Sequence, residues 1–366
     1  MSLVPKHIKE LKPYVAGKSK KEFKRKFGDK EPIKLASNEN PLGCSPKSID
    51  KLDDHINNCN RYPDSSGFEL RKKLADIYAL DMSNVIIGSG SEGIMSNVMR
   101  TFLSGDDKII SSMSSFIGFR VLADASGYHT DWVPMKNYHY DLDGIANKID
   151  NQTKIIYLAN PDNPTGTYFT KNEFDSFMQK VPGRVLIILD EAYYEYAEGI
   201  DDYPDSMIYR YDNIITLRTF SKVYGLAGFR VGYGFAHNDL ISNLMKVKLP
   251  FEPSTLAQEA ALGALDDDIF MKKSVNLNIS EKELMYDFFA ANDIPFIKSA
   301  TNFITLIFEN EASNYNFCNS LLKNGVIVRN LKAFGLGHCT RVTIGNKNEN
   351  KIFKESFLKV IEKIVI

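Results

Sequence analysis

The residues with chemistry to offer cluster in a few short stretches. "LRTFSKVYGLAGFRVG" at 217–232 sets Lys222 just after a β-type run, among hydroxyls and glycines, with Arg230 further on. Lys222 is either a solvated surface charge or an amine held in a pocket as a nucleophile, and this stretch alone leaves both open. "LDEAYYEY" at 189–196 ends the apolar run "VLIIL" on Asp190, a carboxylate that is costly to bury without a partner. Acidic strand ends are common, so Asp190 taken singly decides nothing. "NPDNPTG" at 160–166 breaks regular structure with Pro161, Pro164 and Gly166. It is either a plain turn or a loop that sets Asn163 at the carboxyl edge of a parallel sheet, where ligands of open α/β sheets bind. "GSGSEG" at 88–93, between a strand and a helix, is either a tight turn that needs glycine or a phosphate cradle. A dinucleotide site would also want a carboxylate closing the next strand, and "KIISSM" supplies none.

Taken together, the amine, carboxylate, amide and anion cradle suggest one cofactor, pyridoxal 5'-phosphate. It needs an amine to condense with its aldehyde, a carboxylate to keep its ring nitrogen protonated, and a seat for its phosphate, while the protein orients the ring and tunes it as an electron sink. A lysine near its free pKa of about 10.4 is a poor nucleophile, so Lys222 would want a desolvated or cationic setting. Arg230 offers positive charge and a two-pronged grip on phosphate. Thr219 and Ser221 offer hydroxyls nearby.

Such groups need a rigid frame. Apolar strand-like runs recur at 84–90, 108–112, 154–161, 184–193 and 213–222, several of them followed by a helical pattern. In "SEGIMSNVMRTFL", Ile94, Val98 and Phe102 fall on one helical face. The uninterrupted cores "IIYLA" and "VLIIL" read as strands buried on both faces, as parallel sheets require. The fold class expected is α/β, with a mostly parallel central sheet. Beyond about residue 270 strand and helix alternate over shorter intervals, as in a smaller α+β domain, and "SVNLNISEKELMYDFFAAND" reads as a long helix linking the two. No internal repeat or low-complexity linker is seen.

Bulk properties narrow the function further. With 366 residues, 43% hydrophobic and 25% charged, the chain has the composition of a globular enzyme. Its net charge of −1 gives no field to draw it to nucleic acid or an anionic membrane. The basic run at 18–30 reads as a solvated helical arm. Four scattered cysteines without a C-x-x-C pair, and six histidines at no ligand or triad spacing, argue against a metal site. The N-terminal "MSLVPKHIKELKPY" lacks the apolar run of a signal peptide, and no run approaches membrane-spanning length, so a cytoplasmic protein is expected.

At this point a resemblance becomes specific. "TFSKVYGLAGFRVG", "NPDNPTG" and "DEAYYEY" look like three motifs of the fold-type-I pyridoxal-phosphate aminotransferases, in the same order and spacing, over nearly the whole chain. Within that superfamily the chain most resembles the histidinol-phosphate aminotransferases, through "LKPYVAGK", "LASNENPLG" at 35–43, "RYPD" at 61–64, and "VIVRN" followed by "TRVTIG". The resemblance implies that Lys222 carries the cofactor and later shuttles the proton, and that Asp190 pairs with the ring nitrogen. Asn163 and Tyr193 would hydrogen-bond the phenolic oxygen, and Phe116 would stack on the ring. Backbone N–H groups of Ser91 and Glu92, with Thr219, Ser221 and Arg230, would hold the phosphate. Tyr62 would reach the phosphate in a neighbouring copy, making a homodimer with shared active sites. Arg341 would bind the α-carboxylate of the amino donor. Tyr14 and Arg329 would help hold a distal anion, and Asn40 is a further substrate-side candidate. The division expected is an arm at 1–29, a small domain of 30–44 plus 272–366, and a large cofactor-binding domain at 45–271.

The function implied is transfer of an amino group between L-histidinol phosphate and 2-oxoglutarate, a step of histidine biosynthesis, by ping-pong kinetics. One guanidinium fork can accept carboxylate or phosphate, which suits two dissimilar substrates in one pocket. An aromatic amino acid aminotransferase is the nearest alternative, a phospho-amino-acid decarboxylase on the same scaffold a more distant one. An oxidoreductase is disfavoured by the missing ribose carboxylate, and a pyridoxal-binding regulator by the lack of room for a DNA-reading domain. Some positions depart from the family pattern. "SSF" at 114–116 replaces proline-threonine-aromatic, Gly93 stands where an acidic residue is common, and "TIGN" replaces "TIGT". "KLPFEPSTLAQ" at 248–258 is expected to line the substrate side. Singly, Arg329 and Arg341 also read as surface ion-pair residues, and Tyr14 and Tyr62 as packing aromatics.

Overall fold

The computed structural model describes residues 3–28, 30–209 and 211–361. Its strands, in chain order, are β1 (Ile33–Leu35), β2 (Val85–Gly88), β3 (Lys108–Ser112), β4 (His129–Val133), β5 (Thr153–Ala159), β6 (Leu186–Asp190), β7 (Ile214–Thr219), β8 (Gly232–Ala236), β9 (Phe296–Ile297), β10 (Phe303–Ile307), β11 (Val326–Asn330) and β12 (Cys339–Thr343). Seven form one sheet in the order β2-β8-β7-β6-β5-β3-β4, where only β8 runs against its neighbours.

The strands β5, β6 and β7 at the centre are almost wholly buried, because helices cover both faces of the sheet. Side chains alternate accordingly. Ile155, Tyr157, Ile188 and Ile215 join one apolar cluster with Ile94, Met95 and Val98 of the helix Gly90–Phe102. Ile156, Leu158, Ile187 and Leu189 join another on the opposite face, with Phe174 and Phe177 of the helix Lys171–Met178. That second helix starts on a reciprocal cap, Thr170 accepting from the Glu173 N–H while Glu173 accepts from the Thr170 N–H.

The second sheet has the order β1-β11-β12-β10-β9, parallel only between β1 and β11. Residues 33–35 therefore pair with a strand from the far end of the chain. A helix of 23 residues, Asp268–Ala290, runs from the large sheet's helical cover to this second core, where its Met285 and Phe289 pack with Phe317, Phe353 and Phe357.

Beside the central strands lies an ionic group in which Arg218 and Glu191 are wholly buried and Asp205 partly so. Arg218 of β7 donates from Nε and Nη2 to Glu191 Oε2 at 3.0 and 2.8 Å, and from Nη2 to Asp205 Oδ1 at 3.1 Å. Its guanidinium lies 3.3 Å from the Tyr194 ring centroid. Removing one partner of such a group strands the other charge away from water. Arg218→Ala is therefore expected to cost about 3–5 kcal/mol of unfolding free energy, read as a lower denaturation midpoint in urea. Exposed Lys72→Ala, which loses only a surface pair with Asp76, should cost less than about 1 kcal/mol.

Candidate active site

At the carboxyl ends of β5, β6 and β7 the chain opens a cavity of about 340 Å³. Ten of the fifteen residues singled out from the sequence line it, so one site gathers groups from far-apart stretches. These are Ser91, Glu92, Phe116, Asn163, Asp190, Tyr193, Thr219, Ser221, Lys222 and Arg230.

Asp190 is the last residue of β6, in register with Ala159 of β5 and Leu217 of β7, and only 4% exposed. Its Oδ2 accepts from the Tyr157 hydroxyl at 2.7 Å and its Oδ1 from the Ala192 N–H at 3.2 Å. Burial pushes its pKa up to about 6, against those hydrogen bonds, so it stays largely ionised at neutral pH. Lys222 follows β7, in the turn beyond its end, and is partly buried. Desolvation, then the positive charge of Arg341, lowers its amine to about 8. This is the setting a nucleophilic amine requires, and the reading of Lys222 as a solvated surface charge does not hold.

Tyr193 is buried, its ring edge-on to Phe303 at 5.5 Å and 5.5 Å from the Lys222 Nζ. Its oxygen accepts from Asn38 Nδ2 at 2.8 Å, leaving its own proton for an acceptor in the cavity. Burial pushes the phenol up to about 12. Asn163 sits in the loop after β5. That loop is organised by Asp162, whose Oδ1 accepts from the Ser115 hydroxyl at 2.6 Å and whose Oδ2 accepts from the Thr165 hydroxyl and N–H. The Asn163 side-chain oxygen accepts a hydrogen bond from Arg341 Nη1.

At the opposite end stands the N-terminus of the helix Gly90–Phe102, facing Arg230. Arg230 donates to Glu92 Oε2 at 2.9 Å and to the Ser221 hydroxyl at 3.4 Å. Gly90 adopts φ +74°, and a Cβ there would lie 2.8 Å from Arg230 Nη2. Glycine is thus required twice over, for its backbone and for the guanidinium's approach. Helix N-terminus, guanidinium and the Thr219 and Ser221 hydroxyls together make an anion seat.

Arg341 of β12 and Arg329 of β11 lie directly opposite in register, both buried. Arg341 donates from Nη2 to the Ala36 carbonyl at 2.9 Å and Arg329 from Nη2 to the Val15 carbonyl at 3.1 Å. Among the described residues neither meets a carboxylate, so the surface ion-pair alternative falls. The Arg341 Nε has no partner at all. Burial pulls the Arg341 guanidinium down to about 10. Two buried cations without a carboxylate partner, one of them bonded to the cavity-lining Asn163, are a demand for an anion.

The remaining expectations are placed elsewhere. Tyr14 is half exposed, with its ring 6.0 Å from the Arg329 guanidinium. Asn40 does not line the cavity. It donates to the Val223 carbonyl at 2.7 Å and the Ser274 hydroxyl at 2.8 Å, tying the segment beside Lys222 to the long helix. Tyr62 is 81% exposed and stacks on Phe251 at 4.3 Å, outside the cavity. None of residues 248–258 lines the cavity either, so their expected substrate-side position is not found within one copy of the chain. Asn38, Tyr157 and Asp162 were given no role from the sequence, although all three stand inside stretches already noted.

Lys222 supplies a pH test. The folded state holds its proton less tightly than the unfolded chain, so its contribution to stability grows as pH rises from about 8 towards the ordinary lysine value. In cofactor-free protein carrying ¹³C-methylated lysines, the Lys222 resonance should titrate near pH 8. In Arg341→Gln that midpoint should move up, because a repelling charge is gone. An unshifted midpoint near the ordinary value would contradict the burial described.

A family model for class I and II aminotransferases matches residues 30–357. The histidinol-phosphate aminotransferase 1 of Idiomarina loihiensis is 36% identical over 365 residues, covering 100% of this chain and 98% of its own. The histidinol-phosphate aminotransferase of Halalkalibacterium halodurans is 40% identical, covering 93% and 92%. Among solved structures, the Sinorhizobium meliloti histidinol-phosphate aminotransferase in complex with pyridoxal-5'-phosphate superposes with a TM-score of 0.91 at 25% identity, covering 99% and 98%. Matched in this way from end to end, the chain belongs to the class I and II aminotransferase family and groups within it with the histidinol-phosphate aminotransferases.

Proposed function

We propose that the protein is a pyridoxal-phosphate-dependent aminotransferase that exchanges an amino group between L-histidinol phosphate and 2-oxoglutarate. The observation that carries this reading is the row of groups along one cavity: a buried carboxylate, a partly buried amine lowered to about 8, and an arginine-and-hydroxyl anion seat. That row fits the cofactor's ring nitrogen, aldehyde and phosphate. When bound, the cofactor acts as an electron sink for charge developing at the substrate α-carbon.

The protein's own groups do the rest. Asp190 holds the proton on the ring nitrogen, and Asn163 and Tyr193 hydrogen-bond the ring oxygen. Phe116 packs on the ring. Arg230, Ser221, Thr219 and the N–H groups of Ser91 and Glu92 hold the phosphate. Lys222, neutral once it gives up its proton, takes and returns the proton at the α-carbon. Arg341 grips the carboxylate of the amino donor. Arg329 and Tyr14 receive the distal anion, carboxylate in one half-cycle and phosphate in the other.

The site is completed by a second copy of the chain. Tyr62, exposed and stacked on the exposed Phe251, is the residue offered across that contact. We assign residues 30–44 and 272–366 to the smaller unit, which carries the substrate arginines, and residues 45–271 to the larger one, with residues 210 and 362–366 outside those described. No helix among the described residues is long and apolar enough to cross a membrane, and we place the enzyme in the cytoplasm.

Purified protein should show a visible absorption band that borohydride bleaches, and Lys222→Ala should lose it together with about 10²- to 10⁴-fold of turnover. Glutamate should drive conversion of imidazole acetol phosphate in preference to phenylpyruvate. No 2-oxoglutarate from labelled glutamate would exclude transamination, and a preference for phenylpyruvate would make the enzyme an aromatic aminotransferase. Mixing Tyr62→Ala chains with Lys222→Ala chains should restore activity that neither has alone, because one site of the hybrid then carries neither defect. No recovery in proven hybrids would place Tyr62 outside the partner's site.

A further inference from the structure

Tyr157 lies outside the cavity, in the middle of β5, with no exposed surface. Its ring stacks on Phe119 at 3.9 Å and 10°, and its hydroxyl donates to Asp190 Oδ2 at 2.7 Å. The stack and the strand leave that hydroxyl one direction to point. A phenol this deeply buried keeps its proton at any working pH, since burial and the nearby Asp190 charge push it well above its usual value. It is therefore a fixed donor.

Few other groups face Asp190. Ala192 donates an N–H to Oδ1. Lys222 draws the carboxylate towards its charged form, whereas Glu92 from the helix Gly90–Phe102 opposes it. Tyr140 and Tyr193 complete the surroundings, and among the described residues neither donates to Asp190. The Tyr157 hydroxyl is thus the only side-chain hydrogen bond donated to this carboxylate among the described residues.

We propose that Tyr157 is a positioning residue for the reaction. By donating to Oδ2 it keeps the Asp190 carboxylate less basic than the heterocycle it faces, so that the proton shared between them rests on the ring nitrogen. This rests on the cofactor assignment above. A carboxylate with one oxygen unpartnered in a dry site grows more basic, and the shared proton then moves from nitrogen to oxygen. No atom leaves the site, but the ring loses its positive charge and with it much of its capacity as an electron sink.

The test compares Tyr157→Phe, which keeps the stacked ring, with Phe119→Leu, which keeps the hydroxyl and disturbs the stack. Cofactor-free protein is loaded with pyridoxal 5'-phosphate labelled with ¹⁵N in the ring, and the nitrogen resonance is followed against pH. Wild type and Phe119→Leu should show the protonated position, and Tyr157→Phe a displacement towards neutral pyridine. Turnover of Tyr157→Phe should fall by about 10- to 100-fold, the worth of one hydrogen bond to a charged group, with the donor KM little changed. Asp190→Asn is the control for the site itself and should show a neutral ring nitrogen throughout. If Asp190→Asn moves the resonance and folded Tyr157→Phe does not, the role of Tyr157 is overturned while the site stands. If Asp190→Asn leaves the resonance protonated, the cofactor assignment of Asp190 is overturned as well.

Discussion

A carboxylate withdrawn from water at the end of a central strand is stable only where donors meet both of its oxygens. Asp190 satisfies that condition through a hydroxyl from the neighbouring strand and an N–H two residues ahead. The parallel pairing of β5 and β6 makes this possible, because it brings the carboxyl ends of both strands to the same edge. Lys222, which follows β7, is delivered to that edge by the same pairing. The carboxylate is therefore fixed by the sheet itself and the amine by the turn that leaves it, which leaves little reorganisation to the moment of reaction.

The second sheet contributes by reaching across. Asn38, held at φ +56° just after β1, donates to Tyr193 and accepts from the Thr343 hydroxyl at 3.1 Å. Arg341 on β12 reaches Asn163, a residue of the loop after β5. Through these contacts the groups proposed to grip substrate and those proposed to orient the cofactor share one hydrogen-bonded frame. Asn40 contributes to the same frame from the side, and this accounts for its absence from the cavity wall.

Much of this was legible in the sequence. Apolar runs too long for one-sided strands mark the central sheet, and Asp190 and Lys222 stand out as polar residues closing such runs. What escaped notice did so for definite reasons. Tyr157 sits in "IIYLA", where an aromatic reads as core, and periodicity says nothing about the carboxylate on the next strand. Asn38 finds its partner 155 positions away, beyond any local pattern. Asp162 is one of two acidic or amide residues between prolines, and nothing in the spacing says that it serves the loop while Asn163 serves the cavity. Tyr62 could be placed in a motif but not in space, since no local pattern tells that it stands exposed and stacked on Phe251, far along the chain.

The pairing of β1 with β11 joins residues about four-fifths of the chain apart. During synthesis, Ile33–Leu35 emerges early and must wait, unpaired, until the last quarter of the polypeptide has been made. Loop-closure entropy makes that docking a late event, after the seven-stranded sheet has had time to assemble. A nascent chain thus acquires the amine and the carboxylate before it can hold the arginines over them. An incomplete product released by the ribosome would carry the reactive lysine without the groups that decide what it meets.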